Sequence, residues 1–197
     1  TYKQKSSEEA ILVGLDIVGK KMSDFVRFVK PLANANKIFV HCWRGGMRSS
    51  SMAWLFNLFG YEVYTLKGGY KRYRQLVLES IAAENKYVIL GGRTGSGKTE
   101  MLKELQKAGE QVIDMEALAH HKGSAFGMLG QLPQPSTEHF ENLFHHQLSQ
   151  FNLRKTIWLE DESKKIGTVV LDTKLWQQMK TAPVLVLEVP QIGRAHV

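Results

Sequence analysis

The chain has 197 residues, of which 43% are hydrophobic and 23% charged, so its composition predicts a folded core and excludes a disordered chain. No apolar run approaches the ~18–20 residues of a membrane span, the first residues do not form a signal peptide, and the one cysteine excludes an internal disulfide and a multi-cysteine zinc site. The net charge is +7, and residues 1–90 hold 14 Lys and Arg against 7 Asp and Glu, which favours a polyanionic partner for this half or, equally, a solvated basic face.

Helices and short strands alternate along the first half. Apolar spacing predicts a helix over residues 7–33, with Ser7 as its N-cap. Further predicted elements are strands at 37–41 and 62–65 and helices at 49–59 and 70–84. A single cysteine and no targeting segment favour a reducing, cytoplasmic setting.

The second half repeats this alternation. It predicts strands at 87–90, 111–113, 156–159 and 183–189, helices at 98–108, 136–153 and 172–180, and an irregular stretch at 122–135. Strands that alternate with helices indicate an α/β fold with parallel sheets. Each half begins with a strand, a turn and a helix that together can bind an anion. We therefore expect two domains, residues 1–84 and 85–197.

The first anion site is the turn between the strand at 37–41 and the helix at 49–59. It contains Cys42, Trp43, Arg44, Gly45, Gly46, Met47, Arg48 and Ser49. A turn that leads into a helix N-terminus points unpaired N–H groups inward, and we expect Gly45 and Gly46 to let the backbone curl. Such a nest lowers a cysteine pKa, so Cys42 is predicted to be a nucleophile beside an oxyanion held by Arg48.

The spacing of this loop leaves two chemistries open. Cys42 and Arg48 are separated by five residues, as in cysteine-dependent phosphatases, where the thiolate attacks phosphorus. Rhodanese-like sulfurtransferases use the same architecture, usually with a slightly shorter loop, and carry a persulfide on the cysteine. A buried cysteine with only a packing role is the third alternative.

The second anion site fits the phosphate-binding pattern G-x-x-x-x-G-K-T. Its residues are Gly92, Gly95, Ser96, Gly97, Lys98 and Thr99, between a strand and a helix. We expect the backbone N–H groups from Gly95 to Lys98 to hold a diphosphate, Lys98 to reach its outer oxygens, and Thr99 to be a candidate Mg²⁺ ligand. No tightly bound cofactor is expected.

Acidic residues follow two of the predicted strands of the second half. Glu160 and Asp161 follow the strand at 156–159, and Asp114 follows the strand at 111–113. Phosphate-binding folds often carry a metal-orienting carboxylate at such a position, although a solvated strand end is equally compatible.

A basic aromatic segment follows the strand at 62–65. It contains Lys67, Tyr70, Lys71, Arg72 and Arg74. Cations interleaved with tyrosines suit the phosphates and unpaired bases of an RNA loop. The alternative is an amphipathic helix start whose tyrosines pack inward.

Together these motifs resemble the tRNA 2-selenouridine synthases, which have a rhodanese-like domain followed by a P-loop domain. The resemblance is carried by the turn at 42–49, the segment 66–71, the glycine-rich turn at 91–99 and the segments 114–120, 123–127 and 160–163, with Tyr2 to Gln4 as a further match. It implies that the N-terminal part of the first domain and the C-terminal part of the second are missing, and residues 191–197 depart from the family's continuation.

The resemblance implies replacement of sulfur by selenium in the wobble 2-thiouridine of a tRNA anticodon loop. Selenophosphate would supply the selenium to Cys42 as a selanylsulfide, and geranyl diphosphate at the P-loop would first alkylate the sulfur. An enzyme that supplies selenophosphate is then a further partner, and no membrane is involved. Two other functions stay open: a cysteine-dependent phosphatase or sulfurtransferase fused to a nucleotide-binding module, and a non-catalytic RNA-binding adaptor.

Overall fold

The computed structural model describes residues 6–93, 95–123 and 127–188. The expectations placed on Tyr2 to Gln4, on residues 124–126 within the segment 123–127, and on residues 191–197 lie outside this part of the chain. The described residues group into two compact units, which divide between Tyr73 and Arg74. The boundary predicted after residue 84 stays a prediction.

The first unit is built on two parallel strands, β1 (Lys37–Val40) and β2 (Glu62–Thr65), in the register Ile38 opposite Val63. Its helices are α1 (Ser7–Gly19), α2 (Met22–Val29), α3 (Met47–Leu58) and the start of α4 (Gly69–Ala82), with a short 3₁₀ turn at Lys30–Leu32. Ile38, Leu55 and Phe56 form its buried core, and α2 packs against this core through residues such as Phe25 and Val26. This core fixes the β1–α3 turn that carries the cysteine.

The helix predicted over 7–33 is wrong in two respects. Its N-cap is Ser6, whose Oγ accepts the Glu9 N–H at 3.1 Å, and not Ser7. The helix also ends at Gly19 and restarts at Met22, because glycine has a low helix propensity and α2 must turn its own apolar face onto the core. Pro31 lacks an N–H group, and the chain tightens to a 3₁₀ turn there.

The second unit contains a four-stranded parallel sheet in the order β4–β5–β3–β8. Its elements are β3 (Tyr87–Gly92), α5 (Lys98–Lys107), β4 (Gln111–Ile113), α6 (Met115–Ala119), α7 (Thr137–Leu148), β5 (Ile157–Glu160), β6 (Lys165–Ile166), β7 (Val169–Val170), α8 (Thr173–Thr181) and β8 (Val184–Leu187). Leu90 on β3, Leu102 on α5 and Val112 on β4 are buried together. The α/β class with parallel sheets is confirmed.

One helix and one hairpin of the second unit were not predicted. The short helix α6 begins after Asp114, whose carboxylate accepts the Ala117 N–H at 2.8 Å. The antiparallel hairpin β6–β7 has two residues in each strand, too few for an alternating pattern to show in the sequence. No helix within the described residues is long and apolar enough to cross a bilayer.

Candidate active site

Cys42 lies in the turn between β1 and α3, where its sulfur is surrounded by hydrogen-bond donors. The Gly46 N–H donates to Sγ at 3.3 Å, and the Ser49 Oγ lies 3.4 Å from Sγ. Ser49 is in the first turn of α3 and only 2% exposed, so its hydroxyl is held in place. The turn therefore forms the predicted nest, with the sulfur at its centre.

These contacts change the acidity of the thiol. The Ser49 hydroxyl and, next, the Gly46 N–H lower the pKa of Cys42 from 9.0 to about 6; burial opposes them, and the N–H groups of Arg44 and Ser49 add smaller lowering effects. Hydrogen bonds to the charged form of the thiol favour its ionisation, which is the form that reacts as a nucleophile. The lowered pKa favours the nucleophilic role predicted for Cys42, and that role stays a prediction.

Two glycines from different loops allow the turn to adopt this shape. Gly45 has φ +67°, and a Cβ there would lie 2.7 Å from the Gly69 nitrogen; a Cβ on Gly69, with φ +64°, would lie 2.3 Å from the Cys42 oxygen. The expectation for Gly46 is wrong, because its φ is −106° and a Cβ there would meet nothing within 4 Å. The second required glycine is Gly69, at the start of α4.

The start of α4 also anchors the cysteine turn. The Tyr70 N–H donates to the Cys42 carbonyl and the Lys71 N–H to the Trp43 carbonyl, each at 2.9 Å. These bonds turn the two carbonyls toward α4. The segment 66–71 therefore belongs to the site structurally, by holding the cysteine turn.

Aromatic rings flank the cysteine on both sides along the chain. The Tyr70 ring centroid lies 5.9 Å from that of His41, 5.8 Å from that of Trp43 and 5.9 Å from that of Tyr73. Tyr70 is half-buried, whereas Trp43 is 50% exposed. Tyr70 therefore packs within the unit, as the alternative interpretation of the basic aromatic segment expects, and a base contact by its ring stays a prediction.

The remaining side chains of the turn point outward. Arg44, Met47 and Arg48 are exposed, and Arg48 lies in the first turn of α3. Among the described residues, the Arg48 guanidinium has no carboxylate partner. Its role in holding an oxyanion stays a prediction.

The glycine-rich turn of the second unit opens into a cavity of about 790 Å³. All the phosphate-binding residues predicted there line it: Gly92, Gly95, Ser96, Gly97, Lys98 and Thr99. The Lys98 Nζ donates to the Gly92 carbonyl at 3.0 Å, which keeps the ammonium inside the turn. The Ser96 N–H donates to the Arg93 carbonyl at 3.0 Å. The turn thus has the strand, helix and lysine that a diphosphate site needs.

The sheet topology brings the predicted acids to the same cavity. Strand β5 lies beside β3 with Glu160 opposite Leu90, and β4 lies beside β5, so Asp114 follows at the same edge. Parallel neighbouring strands end at one edge of a sheet, where ligands bind in open α/β folds. Asp114, Glu160 and Asp161 therefore all line the cavity, although Asp114 also caps α6.

Two further acids complete this group and were missed as candidates. One carboxylate oxygen each of Glu116, Glu160 and Glu162 lie within 4.8 Å of one another. In the sequence, Glu116 comes two residues after Asp114, and Glu162 comes two residues after Glu160. This pair of acids beyond each strand end could have predicted that Glu116 and Glu162 also belong to the cavity. The Glu116 carboxylate also accepts the Gly123 N–H.

Burial and mutual repulsion raise the pKa of three carboxyl groups in this cavity, those of Asp114, Glu160 and Glu162. Glu160 is 1% exposed, and burial, followed by the charges of Glu116 and Asp114, raises its pKa to about 8. Burial and the hydrogen bond to Glu116 raise the pKa of Glu162, and burial raises that of Asp114. The Glu160 Oε2 has no hydrogen-bond partner among the described residues. A buried acceptor left this way suits a cation.

The basic aromatic segment divides into exposed and internal cations. Lys67, Lys71 and Arg72 are exposed. Arg74 is different, because its guanidinium forms an ion pair with Glu141 and donates to the Asn142 Oδ1 at 2.6 Å, and the Arg74 and Glu141 side chains are each 12% exposed. The structure thus corrects the expectation of a tRNA contact for Arg74, since its charge already has a buried partner.

Comparison with known families matches each half of the chain. The family described as tRNA 2-selenouridine synthase AAA domain matches residues 85–197, and the rhodanese-like domain family matches residues 2–76. The anion turns at Cys42 and Lys98 fall one in each matched region. The fold class predicted from the sequence, rhodanese-like followed by P-loop-like, is confirmed by both matches.

Individual relatives carry the same description over nearly the whole chain. Proteins named tRNA 2-selenouridine synthase are 36% identical in Sulfurovum sp. (strain NBC37-1), covering 100% of this chain and 54% of the relative, and 37% identical in Shewanella piezotolerans, covering 98% and 53%. The relative in Nitrosomonas europaea is 34% identical, covering 98% of this chain and 52% of its own. The chain thus spans about half the length of the curated relatives it matches.

Proposed function

Because this chain belongs to the tRNA 2-selenouridine synthase family, we propose that it takes part in replacing the sulfur of a tRNA wobble 2-thiouridine by selenium. One observation supports the proposal most directly: a thiol with a pKa of about 6, at the centre of a ring of N–H groups, occurs in one chain with a P-loop cavity. The first site suits a selenium donor that is an oxyanion, and the second suits a diphosphate. The names of the relatives support a tRNA substrate.

For the P-loop we propose geranyl diphosphate as ligand, which would alkylate the thiouridine sulfur and so make it a better leaving group. Lys98 and the N–H groups of the turn would hold the departing diphosphate, whose developing charge they stabilise. The second candidate, a nucleotide, is favoured by the same glycine-rich turn. Titration with geranyl diphosphate and with ATP separates the two.

The carboxylates of the same cavity fit a divalent cation. Glu116, Glu160 and Glu162 would hold Mg²⁺ together with Thr99, because carboxylate oxygens are hard ligands and these three lie within 4.8 Å of one another. The buried Glu160 Oε2, which has no hydrogen-bond partner in the described part of the chain, is left available to the cation. Bound there, Mg²⁺ would neutralise part of the diphosphate charge. Loss of Mg²⁺ binding in a Glu160→Gln variant, measured by calorimetry without substrate, would support this assignment.

For the cysteine turn we propose selenophosphate as ligand. Its phosphoryl oxygens would bind the N–H groups of the turn and the Arg48 guanidinium, next to the Cys42 sulfur.

The decisive experiment separates the two reactions in one tRNA assay with the complete protein. A Cys42→Ala variant should lose selenium incorporation and keep geranylation of thiolated tRNA, whereas Lys98→Ala should lose both because selenation needs the alkylated base. Nucleoside mass spectrometry reads both products. Retained selenation in Cys42→Ala would remove Cys42 from the reaction, and tRNA left unchanged by the wild-type protein would contradict the proposed function.

A further inference from the structure

We propose that Cys42 attacks the phosphorus of selenophosphate, and not its selenium, so that the turn forms a phosphocysteine and releases hydroselenide. This inference rests on the proposed function, since it takes selenophosphate as the donor. It differs from the selanylsulfide that the family resemblance implied for Cys42.

Electron balance favours phosphorus as the point of attack. Selenium in selenophosphate is at the oxidation level of selenide, and a selenium–sulfur bond to Cys42 would oxidise it by two electrons. Phosphorus would then have to leave reduced, as phosphite, or an oxidant would have to enter. Attack on phosphorus changes no oxidation state and needs no further reagent.

The proposed sequence is balanced in atoms and charge. The Cys42 thiolate forms the sulfur–phosphorus bond as the phosphorus–selenium bond breaks, and the electron pair leaves with hydroselenide. Water then cleaves the phosphocysteine to phosphate and regenerates the thiolate. Hydroselenide attacks C2 of the alkylated base, the alkylthiolate departs, and the selenium-borne proton moves to N3.

The geometry of the turn suits a tetrahedral phosphoryl group. The carbonyls of Cys42 and Trp43 are turned away by their bonds to α4, while the N–H of Gly46 points at Sγ at 3.3 Å. Five residues separate Cys42 from Arg48, the spacing at which the sequence already resembles cysteine-dependent phosphatases. A phosphoryl group seated in this ring would present its oxygens to the N–H groups and its phosphorus to the sulfur.

Ser49 is placed to assist the second step, the hydrolysis of the phosphocysteine. Its Oγ is 3.4 Å from Sγ and 3.0 Å from the Gly46 carbonyl, so its single proton is shared between these two acceptors. When water cleaves the phosphocysteine, the sulfur leaves as thiolate, and a hydroxyl that donates to this charge stabilises its departure. Ser49 therefore assists the step that regenerates the enzyme.

The test uses the complete protein mixed with selenophosphate in the absence of tRNA and quenched in acid at short times. Wild type should carry an adduct on Cys42 whose phosphorus NMR signal is that of a thiophosphoryl group, with release of hydroselenide. The two candidate adducts have nearly equal masses, so the isotope pattern of selenium, absent from a phosphocysteine, separates them. Ser49→Ala should accumulate more adduct, with hydrolysis slowed about tenfold, while Ser50→Ala, an exposed neighbour, should match wild type.

Each outcome decides the matter. An adduct with the selenium isotope pattern, or selenation of tRNA by a wild-type protein that forms no phosphocysteine, would overturn the inference and leave the proposed function standing. A protein that neither forms an adduct nor selenates alkylated tRNA would contradict the proposed function itself. Loss of the adduct in Cys42→Ser, with retained circular dichroism, would confirm its site.

Discussion

The Ser49 hydroxyl lies 3.4 Å from the Cys42 sulfur and is the largest cause of the low pKa of that thiol. Ser49→Ala removes this donor and keeps the Gly46 N–H, so the pKa should rise from about 6 toward its usual value. The rate of iodoacetamide alkylation, measured against pH, reports the midpoint directly, because only the thiolate reacts.

Ser50→Ala is the matched control for this measurement. The Ser50 hydroxyl lies 3.4 Å from the Gly46 carbonyl oxygen and makes no hydrogen bond to the Cys42 sulfur. The alkylation midpoint of Cys42 in Ser50→Ala should therefore equal that of wild type. A common midpoint for wild type and Ser49→Ala would show that the backbone N–H groups alone set the thiol pKa.

Lys98→Ala should weaken the binding of inorganic diphosphate at least tenfold, because it removes the one ammonium held inside the glycine-rich turn among the described residues. Isothermal titration measures the affinity without any turnover. Lys107→Ala is the control, since that lysine lies on the same helix α5 and pairs with the exposed Glu104. Equal affinities for the two variants would place the diphosphate elsewhere.

The sequence predicted both anion turns because each is encoded locally. The pattern from Gly92 to Thr99 and the turn from Cys42 to Ser49 lie between a strand and a helix that the apolar spacing already indicates. Bringing Asp114 and Glu160 to the same cavity as Lys98 required only that parallel strands end at one edge of the sheet.

What the sequence could not give are contacts between distant segments. The need for Gly69 arises from the Cys42 oxygen, which is distant in sequence, and no local pattern encodes that approach. Arg74 looked like a member of the basic segment, but Glu141 on α7 buries its charge. The end of α1 at Gly19 likewise depends on where α2 must pack.

The Arg74–Glu141 pair should contribute strongly to stability. Removing one partner of an ion pair whose side chains are each 12% exposed leaves a charge buried, so Arg74→Ala should lower the free energy of unfolding by about 3–5 kcal/mol. Arg27→Ala breaks the Arg27–Asp24 pair, whose side chains are 79% and 67% exposed, and should cost less than about 1 kcal/mol. Urea unfolding followed by circular dichroism measures both, and equal losses would show that the Arg74 charge remains solvated.

The exposed lysines of the basic segment should set the salt dependence of tRNA binding. Lys67 and Lys71 are exposed near the cysteine turn, and the Lys71 N–H bonds to the Trp43 carbonyl, so an RNA loop that receives the selenium released at Cys42 would lie close to them. Each phosphate contact releases condensed counterions, so affinity falls as salt rises. Lys67→Gln and Lys71→Gln should each make the negative slope of log affinity against log salt shallower by about 1. The backbone bond to Trp43 survives both changes.

Lys174→Gln and Lys180→Gln remove the same charge from the exposed face of α8 and serve as controls for net charge. They should leave the slope unchanged, because the slope reports the number of phosphates contacted and not the net charge of the protein. Filter binding of a thiolated anticodon stem–loop over a salt series gives the slopes. If the α8 variants make the slope shallower by as much as the Lys67 and Lys71 variants do, net charge alone explains the attraction. The basic segment would then have no particular part in RNA binding.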